Sequence, residues 1–127
     1  MATPAEHRAK ALHNEKLLNE YALAEGEFAG WAITVLYYCA VHLLRALAAQ
    51  EGFQIKRYKG KDSEEEAWKS VPQLKHASVA YDCYNILTTA SRSARYEMKG
   101  YSALDYKNLR QNFYEPFRSF VTSHLHP

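Results

Sequence analysis

The sequence predicts an all-α protein, an antiparallel bundle of four main helices. Three observations point there. The segment Trp31-Ala-Ile-Thr-Val-Leu-Tyr-Tyr-Cys-Ala-Val-His-Leu-Leu44 carries no Asp, Glu, Lys or Arg, only one histidine, and is flanked on both sides by charge. Apolar residues recur at helical spacing through most of the chain. The five glycines and four prolines are few and sit at the edges of the periodic segments, which argues against many short strands joined by turns. With 127 residues and a 47% apolar fraction, residues 1–127 fit a single domain able to bury a core.

The first helix is well marked. Thr3-Pro4-Ala5-Glu6 is a capping box with proline at the first helical position, and Leu12, Leu17, Leu18 and Tyr21 make an apolar stripe as far as about Glu25, where Gly26 ends or bends it. The second helix runs from about Glu27 to Gln50. One of its faces carries Trp31, Val35, Tyr38, His42 and Ala46, another Ile33, Tyr37, Ala40, Leu44 and Leu47, so it belongs at the centre of the bundle, touching more than one neighbour. The fourteen uncharged positions Trp31–Leu44 span about 21 Å, short of the roughly 30 Å bilayer core, which favours burial within a soluble protein. Gly52 stands just past the end of this helix, where a left-handed residue closes it.

Residues 53–72 are the least regular part. The basic run Lys56-Arg57-Tyr58-Lys59-Gly60-Lys61 is followed at once by Asp62-Ser63-Glu64-Glu65-Glu66, the pattern of a mobile, solvated loop whose charge blocks partly neutralise each other. Ser63 with Glu66 has capping-box spacing, so a short extra helix through Trp68 is expected there. Pro72 opens the third main helix, which carries Leu74, Val79, Tyr81, Tyr84, Leu87 and Ala94 and continues to about Met98 before Gly100. The fourth runs from about Ser102 to His124 with Leu104, Leu109, Phe113, Phe117 and Phe120 at helical spacing. Pro116 falls inside that pattern and is expected to kink or split it.

The net charge of +2 excludes a strongly polyanion-binding chain, although from Arg92 onward six Lys or Arg face three acids. Cys39 and Cys83 lie in apolar helical stretches without Cys-x-x-Cys spacing and read as free buried thiols. The sequence opens with no charged-then-apolar leader, which gives the expectation of a cytoplasmic protein with no membrane contact. It has no Gly-rich phosphate loop, no recognisable Ser-His-Asp or Cys-His arrangement and no His/Cys metal cluster, so no cofactor and no metal site are expected.

Arg92, Arg95 and Lys99 are spaced three and four apart and share one helix face. They read either as a phosphate-binding stripe, with Tyr96 or Tyr101 available to stack on a base, or as a solvated face with one arginine paired to Asp82 or Glu97. His42, three residues before Arg45, reads as a core histidine bonded to a tyrosine or a backbone group. His124-x-His126 lacks further ligands for a metal. Ten tyrosines in 127 residues suit helix packing and, where left over, a homodimer interface.

Two segments in order carry a resemblance. Trp31-Ala-x-Thr34-x-x-Tyr37-Tyr38-x-Ala40-x-His42-Leu43-x-x-Ala46 followed by Gly52, and Tyr81-x5-Leu87-x3-Ser91-Arg92-x-Ala94-Arg95-Tyr96, together with His13-Asn14 and Leu17-Leu18 in the first helix, resemble the HEPN domain family over roughly residues 10 to 98. The resemblance implies an antiparallel helical bundle that commonly dimerises. Many such proteins are ribonucleases of toxin–antitoxin or other defence systems, while others are noncatalytic modules that bind nucleotides or partner proteins. Ribonuclease members carry an Arg-x4–6-His motif at a dimer cleft. Related small proteins often place a histidine and an arginine, three apart, in the loop after the second helix. Here that loop reads Gly52-Phe-Gln-Ile-Lys-Arg-Tyr-Lys-Gly-Lys61, with no histidine.

Arg118-x5-His124 and Arg8-x4-His13 both fit the ribonuclease spacing. A chain with seven arginines and six histidines is expected to produce about one such match by chance, so neither pair is assigned as catalytic, and Arg118 with His124 stands as the candidate. The expectation is therefore a homodimeric HEPN-like domain that engages RNA or a nucleotide through Arg92, Arg95, Tyr96 and Lys99, in a prokaryotic toxin–antitoxin or defence setting. Any activity would be that of a metal-independent ribonuclease, in which the 2′-OH attacks the adjacent phosphate. The alternative is a noncatalytic module that holds a partner such as a nucleotidyltransferase or an antitoxin.

Overall fold

The computed structural model describes residues 2–20, 28–57, 60–97 and 100–126. The elements run α1 (Pro4–Glu20), α2 (Ala29–Gln50), α3 (Glu64–Ser70), α4 (Ser78–Tyr96), α5 (Ala103–Leu109), a π-helical turn (Arg110–Tyr114) and α6 (Glu115–His124). No strand occurs among the described residues. One isolated bridge joins Arg57 and Ser63.

The capping chemistry read from the sequence is present. The Glu6 backbone N–H donates to Thr3 Oγ1 at 3.1 Å and the Thr3 backbone N–H to Glu6 Oε1 at 3.2 Å, so two donors otherwise orphaned at the start of α1 are satisfied. Ser63 caps α3 by accepting from the Glu66 N–H at 3.0 Å. The Glu66 carboxylate, however, takes the Ser70 hydroxyl rather than reaching back. Gly52 closes α2 with φ +81°. Its N–H donates to the Ala49 carbonyl and the N–H of Phe53 to that of Ala48, the double closure in which a left-handed residue follows the helix.

α2 is the central helix. Fourteen of its 22 residues are buried, and it packs against α1, α4, α5 and α6. At 22 residues it is about 33 Å long, so length no longer separates it from a membrane span. It is the one helix among the described residues long and apolar enough to cross a bilayer, and 72% of its most apolar 18-residue window is buried inside the protein.

Three expectations are corrected. Pro72 does not open the third main helix: residues 72–76 form turns, and α4 begins at Ser78. The inward face of α1 is Ala11, Glu15 and Leu18, while Leu12 is 49% exposed. Glu15 occupies an inward position because Tyr114 and Arg118 satisfy its carboxylate. The 53–72 segment is not a solvated loop along its whole length: Ile55, Ala67, Trp68 and Val71 are buried, and the N–H groups of Lys56 and Arg57 both donate to the Asp62 carbonyl. Tyr58 and Lys59 of its basic run lie outside the described residues, as do Tyr21 and Gly26. The split expected at Pro116 is present: the last segment divides into α5, the π turn and α6, with Pro116 in the first turn of α6. The π turn lies just before it, closed by the Glu115 N–H donating to the carbonyl of Arg110, five residues back. This wider turn shifts the register by one, so Leu109 and Tyr114, five apart, are both buried, and α6 continues inward with Phe117 and Val121.

Candidate functional site

Arg95 lies in the last turn of α4, beside the first half of α2. The two helices run antiparallel and close together: a Cβ at Gly30 would stand 3.8 Å from that of Ala94. The guanidinium folds back along its own helix, Nε donating to the Ser91 carbonyl at 3.4 Å, and Nη1 donates to Tyr38 Oη at 3.2 Å. Its carbon lies 5.8 Å from the ring centres of Tyr37 and Tyr38 and 5.0 Å from that of Tyr96. Three aromatic rings thus surround one cation at cation–π distance. Among the described residues Arg95 forms no ion pair: Asp82 does not reach it, and Glu97 accepts from Ser93 instead. Its positive charge is held in place, and no carboxylate among the described residues neutralises it.

Around this cation the surface is aromatic. Trp31 is 66% exposed and Tyr96 72%, and Tyr38 and Phe28 are also exposed. Trp31 and Tyr38 are two helical turns apart on the same side of α2. Of the face read from the sequence as Trp31, Val35, Tyr38, His42 and Ala46, the first residues form an open edge of the central helix, Trp31 and Tyr38 being exposed, while Val35 packs against the core and Ala46 is buried. Arg92 is exposed on the same helix as Arg95. Lys99 lies outside the described residues, and α4 ends at Tyr96.

Farther along the same edge, one turn beyond Tyr38, stands His42. Among the described residues its hydrogen-bonding contact is with another histidine rather than with a tyrosine or the backbone. Its Nδ1 lies 3.2 Å from Nδ1 of His7 on α1, the ring centres 5.5 Å apart. Burial, the other ring and the charges of Arg45 and Lys10 push His42 down to about 4, and burial with Arg45 lowers His7, against a weaker upward pull from Glu6. Both rings are neutral at pH 7. Arg45 follows one turn later; its Nε is buried without a hydrogen-bond partner. His7 gave no sequence signal, because its partner lies 35 residues away on another helix.

The spacing candidates each have other partners. Arg118 Nε donates to Glu15 Oε2 at 2.7 Å, and Tyr114 Oη donates to the same oxygen at 2.5 Å. His124 stacks edge-on against Phe120, and its carbonyl accepts from Gln50. Arg8 reaches the His126 carbonyl at 3.5 Å rather than His13. Cys39 and Cys83 are free and buried, and burial first, then Glu15, pushes the Cys39 thiol up to about 12. Among the described residues no group of three His, Cys, Asp or Glu is placed to hold a metal ion. An open hollow of about 600 Å³ lies beside α3, lined by Phe53, Lys61, Asp62, Glu66 and Lys69 among others. Its charges are of both signs.

Comparison with known proteins returns no matching family, no matching curated protein and no matching solved structure.

Proposed function

We propose that this chain is a HEPN-like helical domain that engages RNA or a nucleotide through the Arg95 face, as a homodimer in the cytoplasm of a prokaryote and within a toxin–antitoxin or defence system. The observation that carries the reading is the Arg95 guanidinium, ringed by Tyr37, Tyr38 and Tyr96 and without an ion pair among the described residues, beside the exposed Trp31. A cation fixed among aromatic rings offers both things that a single-stranded nucleotide needs. The charge attracts phosphate, and an exposed ring such as Tyr96 or Trp31 stacks on a base, whichever base it is. Arg92 adds charge on the same helix.

The test is binding of a fluorescent single-stranded RNA by anisotropy at two salt concentrations. The expected result is salt-sensitive binding that weakens about tenfold or more in Arg95→Ala and in Tyr96→Ala, each loss corresponding to about 1.4 kcal/mol. Equal binding by both variants and the unaltered chain sinks the reading.

A second reading has its own observation. Phe28, Trp31, Tyr38 and Tyr96 leave much aromatic surface exposed, and Trp, Tyr and Arg are the residues that dominate protein interfaces. On this reading the face holds a partner protein, such as a nucleotidyltransferase or an antitoxin, and the chain is noncatalytic. Tight copurification of a protein lost in Trp31→Ser, with no RNA affinity, supports it.

A further inference from the structure

We propose that His7, His42 and Arg45 form a phosphodiester-cleaving centre in which the two histidines relay protons and Arg45 stabilises the phosphate. The proposal rests on the RNA-binding reading of the Arg95 face and extends it along the same edge of α2.

The position is the first argument. Tyr38, His42 and Arg45 are four and three residues apart, so they lie on one side of α2. His42 is about 6 Å along the axis from Tyr38, the residue that receives the Arg95 hydrogen bond. A strand held at Arg95 and Tyr38 extends naturally over His42.

The charge is the second. Two imidazole nitrogens 3.2 Å apart have the bite of a metal chelate as well as of a hydrogen bond. Arg45 and Lys10, however, place positive charge beside the pair, which opposes a cation and favours an anion. Arg45 also lies within the field of the buried Glu64 carboxylate, but among the described residues it makes no ion pair with it, and its Nε is buried without a hydrogen-bond partner. That leaves a guanidinium whose donors fit a phosphate oxygen.

The contact between the rings dictates the chemistry. Two neutral imidazoles joined through Nδ1 must hold different tautomers. The ring that donates through Nδ1 has a bare Nε2, a base; the ring that accepts keeps its Nε2–H, an acid. In the step, the bare Nε2 takes the proton of a ribose 2′-hydroxyl as the 2′ oxygen bonds to phosphorus. The bond from phosphorus to the 5′ oxygen breaks with its electron pair on that oxygen, which takes the proton from the other Nε2–H. The shared Nδ1 proton crosses to the second ring. Both rings end neutral with their tautomers exchanged, and the products are a 2′,3′-cyclic phosphate and a free 5′-hydroxyl. The charge that builds up on phosphate is met by Arg45.

The experiment incubates the full chain with a short single-stranded RNA in EDTA and follows cleavage and binding separately. Cleavage leaving cyclic phosphate ends is expected, reduced about 100-fold or more in His7→Asn and His42→Asn, while RNA affinity stays within about twofold. Asparagine keeps a polar atom near the Nδ1 position, and circular dichroism checks that each variant is folded. A relay of two neutral rings also predicts a rate that falls only on the acid side, at a pH below the ordinary histidine value, under the fields of Glu6, Lys10 and Arg45. RNA bound but never cut overturns the proposal and leaves the binding reading standing. Cleavage that persists in both variants, cleavage of an all-2′-deoxy strand, or a bell-shaped profile centred near neutrality also overturns it. Absence of RNA binding overturns both readings together.

Discussion

Arg118 Nε and Glu15 Oε2 meet at 2.7 Å across 103 residues of chain. The contact ties the last helix to the first. Glu15 has a side chain only 10% exposed and would be costly to bury alone, since an unpaired carboxylate in an apolar setting loses most of its hydration. The Tyr114 hydroxyl completes its shell, and the paired carboxylate pushes the Arg118 guanidinium upward in turn. An arginine that sequence spacing presents as a catalytic candidate is thus spent on holding the bundle together.

Arg118→Ala is expected to destabilise the protein by about 2 kcal/mol. Removing one partner of a buried pair leaves the other charge uncompensated, and the partial exposure of Arg118 softens the loss. Glu15→Gln costs less, because the amide oxygen still accepts from Tyr114 and the freed guanidinium can turn to water. Urea unfolding of the two variants reads the difference. Unchanged stability in Arg118→Ala, with RNA cleavage abolished, would restore Arg118 to a catalytic role.

Gly52→Ala isolates backbone strain from packing. The residue sits at φ +81°, and an added Cβ meets nothing within 4 Å, so no clash contributes. The expected loss is about 1 kcal/mol, the cost of a left-handed conformation for an L side chain. Gly52→Asn should lose less, because asparagine tolerates that region. Thermal unfolding of both variants decides it, and equal midpoints for alanine and glycine would show that the turn relaxes out of the left-handed region.

Local signals carried the frame of this protein. The uncharged run 31–44 marks α2, the Thr3 and Ser63 caps mark the starts of α1 and α3, and Gly52 marks the end of α2, all chemistry confined within a few residues. What the sequence could not reveal depends on distant partners. Nothing near Glu15 in the sequence marks it as inward, because its donor Tyr114 comes 99 residues later. Pro72 is acceptable at a helix start, yet Val71 and Leu74 bury into the core as a turn, which delays α4 to Ser78. The π turn is invisible to a 3.6-residue period. The candidate surface divides in the same way: Arg92, Arg95 and Tyr96 follow from spacing on one helix, while the Tyr38 contact and the His7–His42 pair are made between helices.

Arg95→Lys separates charge from shape. Lysine keeps the positive charge but not the planar fork that bonds Tyr38 while lying near the tyrosine rings. RNA affinity is expected to fall about three- to tenfold with the salt dependence preserved. Arg95→Ala removes the charge as well and should flatten the logarithmic salt slope by about one. Anisotropy titrations across a salt series measure both. Identical slopes for lysine and alanine would mean that Arg95 makes no phosphate contact.

The His7–His42 pair makes stability depend on pH, and the sign follows from the depressed values. An unfolded histidine protonates near 6.5, whereas His42 in the folded protein resists until about 4, and His7 is also lowered. Between those pH values the unfolded chain binds more protons, so the stability present above 6.5 is lost as pH falls through this window. A fully buried ring with that shift would contribute roughly 3 kcal/mol; half-burial and screening reduce it to ~1–2 kcal/mol. Glu64 acts in the opposite sense. Burial raises its carboxyl against the pull of Tyr84 and Arg45, so the folded state gains protons above 4.5 and gains stability as pH falls. His42→Gln should therefore flatten the loss between pH 6.5 and 4, and Glu64→Gln should steepen it. Urea midpoints measured across that range distinguish the two, and a Glu64→Gln curve flat from pH 7 to 4, with the opposing carboxyl removed, would show that the ring pair is open to water.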